Sequence, residues 1–184
     1  MQFGFGFKYK GWEQAIEVVA RIKKEYPDVF FTGLFSESPF SRVMHDQYYH
    51  ELLMSIHDKG LMDNIALIRG FQSDETLNSY FRTNQVAIFP YIENGEHTVF
   101  GCSGAARLAM TSGIPVIVTN VPLFDDFEGV VPRAKSVEDV CDWVKKLFND
   151  KVYAKTQIES QNRFLVENSL ENVAKKYLAV MCQT

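Results

Sequence analysis

The sequence predicts a three-layer α/β domain built on a doubly wound parallel sheet, on three observations. Its strand candidates are mostly continuous apolar runs rather than alternating ones, amphipathic helical patterns lie between them, and 184 residues suit one domain of ordinary size. Strands apolar on both faces belong in a parallel sheet covered on both sides by helices.

Each element follows in order. Residues 2–7 alternate aromatic and glycine and read as the first strand, and a loop carrying Lys8, Lys10 and Gly11 comes next. Trp12, Ala15, Ile16, Val19 and Ile22 recur at spacings of three and four, which is an amphipathic helix. "DVFFTGLF" is a short apolar strand, and "SESPFSR" is turn-like. A helix spans about 44–58, with Tyr48, Leu52 and Ile56 on one side. "NIALIRG" is a strand ending at Gly70; Ser73 then caps a helix that buries Leu77, Tyr80 and Phe81. "QVAIFP" is a strand stopped by Pro90, a helix runs 103–112 up to Gly113, and "PVIVT" is again a wholly apolar strand. The tail is helical at 136–148, near 152–166 and near 170–180. The last helix carries Ser169 as cap and Leu170, Val173, Ala174, Tyr177 and Met181 on one face. The expected organisation is one domain over 1–184, with helices 152–181 packing on it.

Bulk properties remove several classes of function. The net charge is -4 and there is no long basic tract, so no footprint for nucleic acid backbone or anionic lipid is visible. Cys102, Cys141 and Cys182 make an odd count in a chain too large to need staples, which favours reduced thiols and a cytoplasmic setting. No run approaches the roughly 20 apolar residues of a membrane span, and "MQFGFGFKYKG" lacks the zones of a signal peptide. A core strand at the first residues fits an excised domain, or a chain whose partner domain lies elsewhere.

In doubly wound sheets ligands collect at the carboxyl ends of the strands, where the strand order reverses. That selects loops 7–11, 33–43, 70–73, 90–103 and 119–129. In "FGCSGAARLAM" a helix starts directly after small residues. Its first N–H groups are unpaired and its dipole is positive there, so Ser103 and Gly104 suit a phosphate; equally, Ser103 suits a plain helix cap. Lys8 and Lys10 could neutralise a diphosphate held by that terminus, or be solvated surface. Glu93, Glu96 and His97 could face a sugar, as hydroxyl acceptor and proton-handling group, or form a solvent-facing turn. Asp125, Asp126 and Glu128 could bind hydroxyls or a cation, or be an acidic turn. Tyr91, Phe100 and Phe124 are the aromatic residues in candidate ligand loops. His45, His50 and His57 do not stack on one helical face, no metal site is expected, and "HDQYYH" reads as helix surface. No dinucleotide fingerprint, nucleophile elbow or acidic cluster after the first strand is present.

Taken in order, "FGFKYKG", "NIALIRGFQSDETLNSYFRTNQVAIFPY" and "LAMTSGIPVIVTNV" resemble the carboxyl-terminal, nucleotide-sugar-binding half of a GT-B glycosyltransferase of the retaining family 4. The resemblance covers nearly the whole chain. It implies a Rossmann-like fold, a nucleoside-diphosphate sugar as substrate with no cofactor or essential metal, and transfer of the sugar with retention to an acceptor hydroxyl. It implies that Lys10, with Lys8 as partial substitute for an arginine, contacts the diphosphate, that the backbone at Gly70 and Phe71 reads the nucleobase, and that Ser103 and Gly104 hold the distal phosphate. Beside the sugar it puts Glu96, in the role of the first catalytic acid; His97, from the residue reading above, is the donor-binding neighbour of that acid. The family's paired glutamates fall at Phe100 and Leu108 here, so neither is in register. The acceptor-binding amino-terminal domain is absent from the chain and is expected in cis or in trans. A peripheral membrane association would come through that domain. A degenerate half that acts as a scaffold or regulatory partner is the alternative reading.

Overall fold

The computed structural model describes residues 1–38, 42–93 and 102–182, Arg42 by its backbone alone. Six strands, all paired in parallel, are present among the described residues. Gln2–Phe5 (β1), Phe31–Ser36 (β2) and Ile65–Arg69 (β3) pair in the order β1-β2-β3; Ala87–Phe89 (β4), Val116–Thr119 (β5) and Arg133–Ala134 (β6) pair as β4-β5-β6. The Ile88 N–H donates to the Met1 carbonyl at 2.9 Å, setting β4 beside β1. The strands therefore run β3-β2-β1-β4-β5-β6, with the order reversing between β1 and β4.

Two apolar clusters, one on each face, make the three layers. On one face Trp12–Ile22 (α1), Arg42–Asp58 (α2) and Val137–Asn149 (α5) bury Trp12, Ile16, Tyr48, Leu52, Val140 and Val144 against Phe31 and Phe35. On the other, Asp74–Thr83 (α3) and Gly104–Thr111 (α4) bury Leu77, Phe81, Ala106 and Met110 against Phe3 and Phe89. Ser73, Ser103, Ser136 and Ser169 each accept a backbone N–H three residues on, so the serines that begin these helices do so as caps. Gly6 is obligatory for a packing reason: the Phe35 ring occupies the space a Cβ would need.

Several expectations are corrected. The first strand ends at Phe5, and Lys8–Lys10 form a 3-10 turn rather than an open loop. β6 has no counterpart in the sequence reading, because a two-residue strand carries no pattern. Lys151–Glu167 (α6) packs on α4 and α5, and its Gln161 side chain bonds the Val116 N–H and the Ile114 carbonyl. Leu170–Met181 (α7) does not bury its apolar stripe: Leu170, Ala174, Tyr177 and Met181 are exposed. Among the described residues no helix is long and apolar enough to cross a membrane.

"HDQYYH" is not helix surface throughout. His45 is 1% exposed and sits edge-on to Phe7, with ring centroids 5.0 Å apart. Neither ring nitrogen has a partner among the described residues. A buried polar atom without a partner costs about 1–3 kcal/mol. His45→Phe is therefore expected to leave stability unchanged or to raise it by about 1 kcal/mol in urea unfolding. A loss of that size would instead reveal a partner for the imidazole.

Candidate functional site

The site is assembled where β1 and β4 end side by side. The chain leaves β1 through the 3-10 turn, and Gly11 closes that turn at φ +69, its N–H donating to the Lys8 carbonyl at 3.0 Å. Only glycine fits: the conformation is left-handed, and a Cβ would run into the Pro90 carbonyl oxygen of the neighbouring loop. The close approach is locked from both sides. The Ile92 N–H donates to the Tyr9 carbonyl at 2.9 Å, and the fully buried Gln2 donates from Nε2 to the Lys10 carbonyl at 2.8 Å.

This frame aims Lys10 at β4. Its Nζ donates to the Tyr91 hydroxyl at 2.8 Å and lies 4.1 Å from the centroid of that ring and 5.0 Å from that of Tyr9. The Tyr91 hydroxyl is 3.3 Å from Ser103 Oγ, and the Tyr91 carbonyl accepts from Thr119 at 2.6 Å. A buried polar chain thus runs from Lys10 through Tyr91 to the first residue before α4. Tyr91 is 2% and Ser103 3% exposed.

Ser103 resolves the choice between cap and cradle in an unexpected way. Its hydroxyl is used internally, accepting the Ala106 N–H at 3.2 Å while facing Tyr91. What an anion could reach is the backbone: the N–H groups of Gly104 and Ala105, in the first turn of α4, have no intrahelical partner. Gly104 itself is exposed.

Charge separates Lys10 from its neighbours. Lys8, Arg69, Arg107 and Arg133 all reach carboxylates, at Glu51, at Glu37 and Asp46, at Asp126, and at Asp125. Lys10 has no ion pair among the described residues, and burial pulls its ammonium down from the usual lysine range to about 8. Burial is also the main cause that raises the Tyr91 phenol, so Tyr91 stays a neutral hydroxyl.

The other candidates fall out differently. Lys8 turns away to α2, 3.5 Å from Glu51 and over the Tyr48 ring. Gly70, at φ +109, and Phe71, 82% exposed, stand at the carboxyl end of β3, on the same sheet edge but with β2 and β1 between them and β4. Phe124 is core rather than ligand loop. Asp125 and Asp126 are held by Arg133 and Arg107, so these two acids fasten the segment after β5. Glu96, His97 and Phe100 lie outside the described residues. Leu108 is 41% exposed on α4 and offers no carboxylate. Among the described residues no group of three His, Cys, Asp or Glu is placed to hold a metal. The sequence reading missed Gln2 altogether; a lone amide inside an aromatic and glycine strand is the signal that marks it.

Two cavities bear on the choice of site. One of about 450 Å³ adjoins Tyr91 at the carboxyl ends of β4, β5 and β6, with Gln14, Glu93, Asn120, Lys135 and Ser136 in its wall. The Gln14 Oε1 is buried there without a partner among the described residues. A larger one, about 700 Å³, is lined mainly by apolar groups such as Ile22, Phe31, Val86 and Phe148. It opens at the amino ends of the strands, opposite Lys10, and gathers none of the polar chain described above.

No family model and no curated protein matches the sequence. Solved structures do match in fold. The α,α-trehalose-phosphate synthase (UDP-forming) of Burkholderia vietnamiensis aligns over 100% of this chain and 45% of its own, with 13% identity and a TM-score of 0.78. The carboxyl-terminal domain of a glycosyl transferase group 1 family protein, LpcC, from Francisella tularensis aligns over 91% of this chain and 85% of its own, with 20% identity and a TM-score of 0.67. Anabaena Alr3699/HepE, solved in complex with UDP, aligns over 100% of this chain and 48% of its own, with 13% identity and a TM-score of 0.78. The chain thus spans somewhat under half the length of two of these three, and nearly all of the excised domain. It has the fold of the Rossmann-like, carboxyl-terminal half of a GT-B glycosyltransferase.

Proposed function

We propose that this chain binds a nucleoside-diphosphate sugar as the donor half of a retaining glycosyltransferase, which passes a hexosyl group to an acceptor hydroxyl. The observation that carries the reading is Lys10: a half-buried ammonium without a counter-ion among the described residues, at the switch point of the sheet, linked through Tyr91 to the start of α4. A diphosphate seated between the two would supply the missing anion to Lys10 and accept the open N–H groups of Gly104 and Ala105. As the glycosidic bond breaks, negative charge develops on the leaving diphosphate, and these fixed donors stabilise it without reorganising. No metal is needed for that role. Glu96 and His97 are assigned to the sugar side, Glu96 as the carboxylate facing the reacting carbon. Gly70 and Phe71 are assigned to the base side.

The acceptor site belongs to a second α/β domain, in cis or in trans, and this half alone does not transfer sugar. The exposed apolar stripe of α7 gives such a domain a surface to cover. One observation favours the scaffold reading instead: Leu108 is apolar where the resemblance expects a ribose-binding glutamate. Calorimetry with UDP, GDP, ADP and their sugar conjugates separates the two. Binding of at least one is expected, and no binding at millimolar concentration would sink the donor reading.

The pH dependence has a definite sign. Free Lys10 loses its proton as pH rises through about 8. A bound diphosphate favours the charged form, so binding above that pH takes up a proton. Affinity should be flat between pH 7 and 8, where nucleoside diphosphates are already ionised, and fall by up to about tenfold per unit above it. Calorimetry in buffers of different ionisation enthalpy reads both effects, and a flat profile to pH 9.5 would remove Lys10 from the site.

A further inference from the structure

Beside the anion site stands an aromatic row that the phosphate contacts do not use. Phe5, Phe7 and Tyr9 leave the carboxyl end of β1 in succession: Phe5 and Phe7 have ring centroids 6.0 Å apart, and Phe7 lies parallel to Tyr9 at 5.7 Å and 12°. Phe3, two residues before Phe5 on the same strand face, is core, packed edge-on to Phe81 and Phe89. Phe5 continues that face past the end of the core and is 42% exposed. Its position is not loose. The Phe5 carbonyl accepts from Trp12 Nε1 at 3.3 Å, and His45 braces Phe7 edge-on. The row reaches the anion site directly, because the Lys10 N–H donates to the Phe7 carbonyl at 2.9 Å and Tyr9 meets Tyr91 edge-to-face.

A nucleotide held by its phosphates at Lys10 can extend along the sheet edge in two directions. Toward β5 and β6 lies the cavity with Gln14, Asn120, Lys135 and Ser136 in its wall, which offers hydrogen-bonding groups of the kind a sugar needs. Toward β1, β2 and β3 lie exposed ring faces, Phe5 and then Phe71 at the edge strand. The chemistry of the two sides sorts the two ends of the ligand. Resting on the reading of this site as a nucleotide site, we infer that Phe5, backed by Phe7, is a stacking platform for the nucleobase, and that the site holds purines and pyrimidines alike through their ring faces. Stacking on an aromatic side chain tolerates any base, because every base has a π-face. No side chain that hydrogen-bonds a base edge is required.

The test is calorimetry on the whole chain with inorganic diphosphate, UDP, GDP and ADP, for the wild type, Phe5→Leu and Phe5→Trp, each checked for an unchanged thermal transition. Phe5→Leu keeps apolar bulk and removes the π-face. The three nucleotides should bind within about tenfold of one another, purines ahead, and all more tightly than diphosphate. Phe5→Leu should weaken each nucleotide roughly five- to hundredfold and leave diphosphate unchanged, with Phe5→Trp restoring nucleotide affinity. If Phe5→Leu binds nucleotides like the wild type, or if one base exceeds the others by more than about a hundredfold, the platform is overturned while the donor reading stands. If neither diphosphate nor any nucleotide binds the wild type, both fall.

Discussion

Lys10→Ala is expected to weaken nucleoside-diphosphate binding by about 1–3 kcal/mol while leaving the fold as stable as before or more so. The two halves of this result come from one cause. The ammonium is half-buried, and among the described residues it meets a neutral hydroxyl and two ring faces but no carboxylate. Its pKa falls from 10.5 to about 8, so the folded state binds its proton less well than the unfolded state does. For a base displaced downward the stability penalty is full below about pH 8 and disappears as pH rises toward 10.5. Removing the charge at pH 7 relieves that penalty, offset by the lost Tyr91 bond and cation–π contacts. A bound diphosphate repays the desolvation, so the same substitution takes away the largest attraction the ligand meets. Stability that holds or rises as affinity falls is the pattern of a residue kept for function. Lys10→Met, which retains the stem, should behave alike. If urea unfolding shows a loss of more than about 1 kcal/mol with affinity unchanged, Lys10 is a structural residue.

Gly11→Ala should do the opposite and damage fold and site together. A non-glycine residue in the left-handed region costs roughly 1–2 kcal/mol, and the added methyl meets the Pro90 carbonyl, which is backbone and cannot rotate aside. Separating the β1 and β4 loops to relieve that clash strains the bond from Ile92 to Tyr9 and moves Lys10 off Tyr91. A total loss of about 2–5 kcal/mol follows, and at this chain length that lowers the melting temperature by roughly 5–20 °C. Scanning calorimetry reads it directly. Gly104→Ala is the internal comparison, since a Cβ there meets open space. Equal melting temperatures for the two variants would show that the Gly11 approach is not a structural constraint.

How far the sequence reveals this molecule depends on the range of each signal. The strands and serine caps are local: an apolar run or a Ser before a periodic segment is legible in place, and Ser73, Ser103 and Ser169 cap where the sequence suggests it, while Ser136, read only as the first residue of its helix, proves to be its cap. The three-layer parallel sheet follows because period and burial agree. What fails is anything decided by a distant neighbour. Nothing within "HDQYYH" says that His45 will be covered by Phe7 and Phe35, 38 and 10 positions before it. Lys8 and Lys10 look equivalent as a pair of lysines, yet a tight turn sends one to Glu51 and the other to Tyr91. The stripe on the last helix is real as a pattern, but periodicity does not supply the surface that would cover it. Ser103 was legible as cap or cradle; that its hydroxyl is spent on the Ala106 N–H while facing Tyr91, with the first-turn N–H groups of Gly104 and Ala105 lacking an intrahelical partner, needs the packing of Tyr91.

The central claim is that the junction of β1, β4 and α4 holds a nucleoside diphosphate. Amide chemical-shift mapping of the labelled chain, titrated with UDP, GDP and ADP in turn, tests it most directly. The account predicts saturable shifts for at least one of them at Lys10, Gly11, Gly104 and Ala105, with smaller ones at Phe5 and Phe7. Shifts confined to the amino-end cavity around Ile22 and Phe148, or none with any of the three at millimolar concentration, would contradict it.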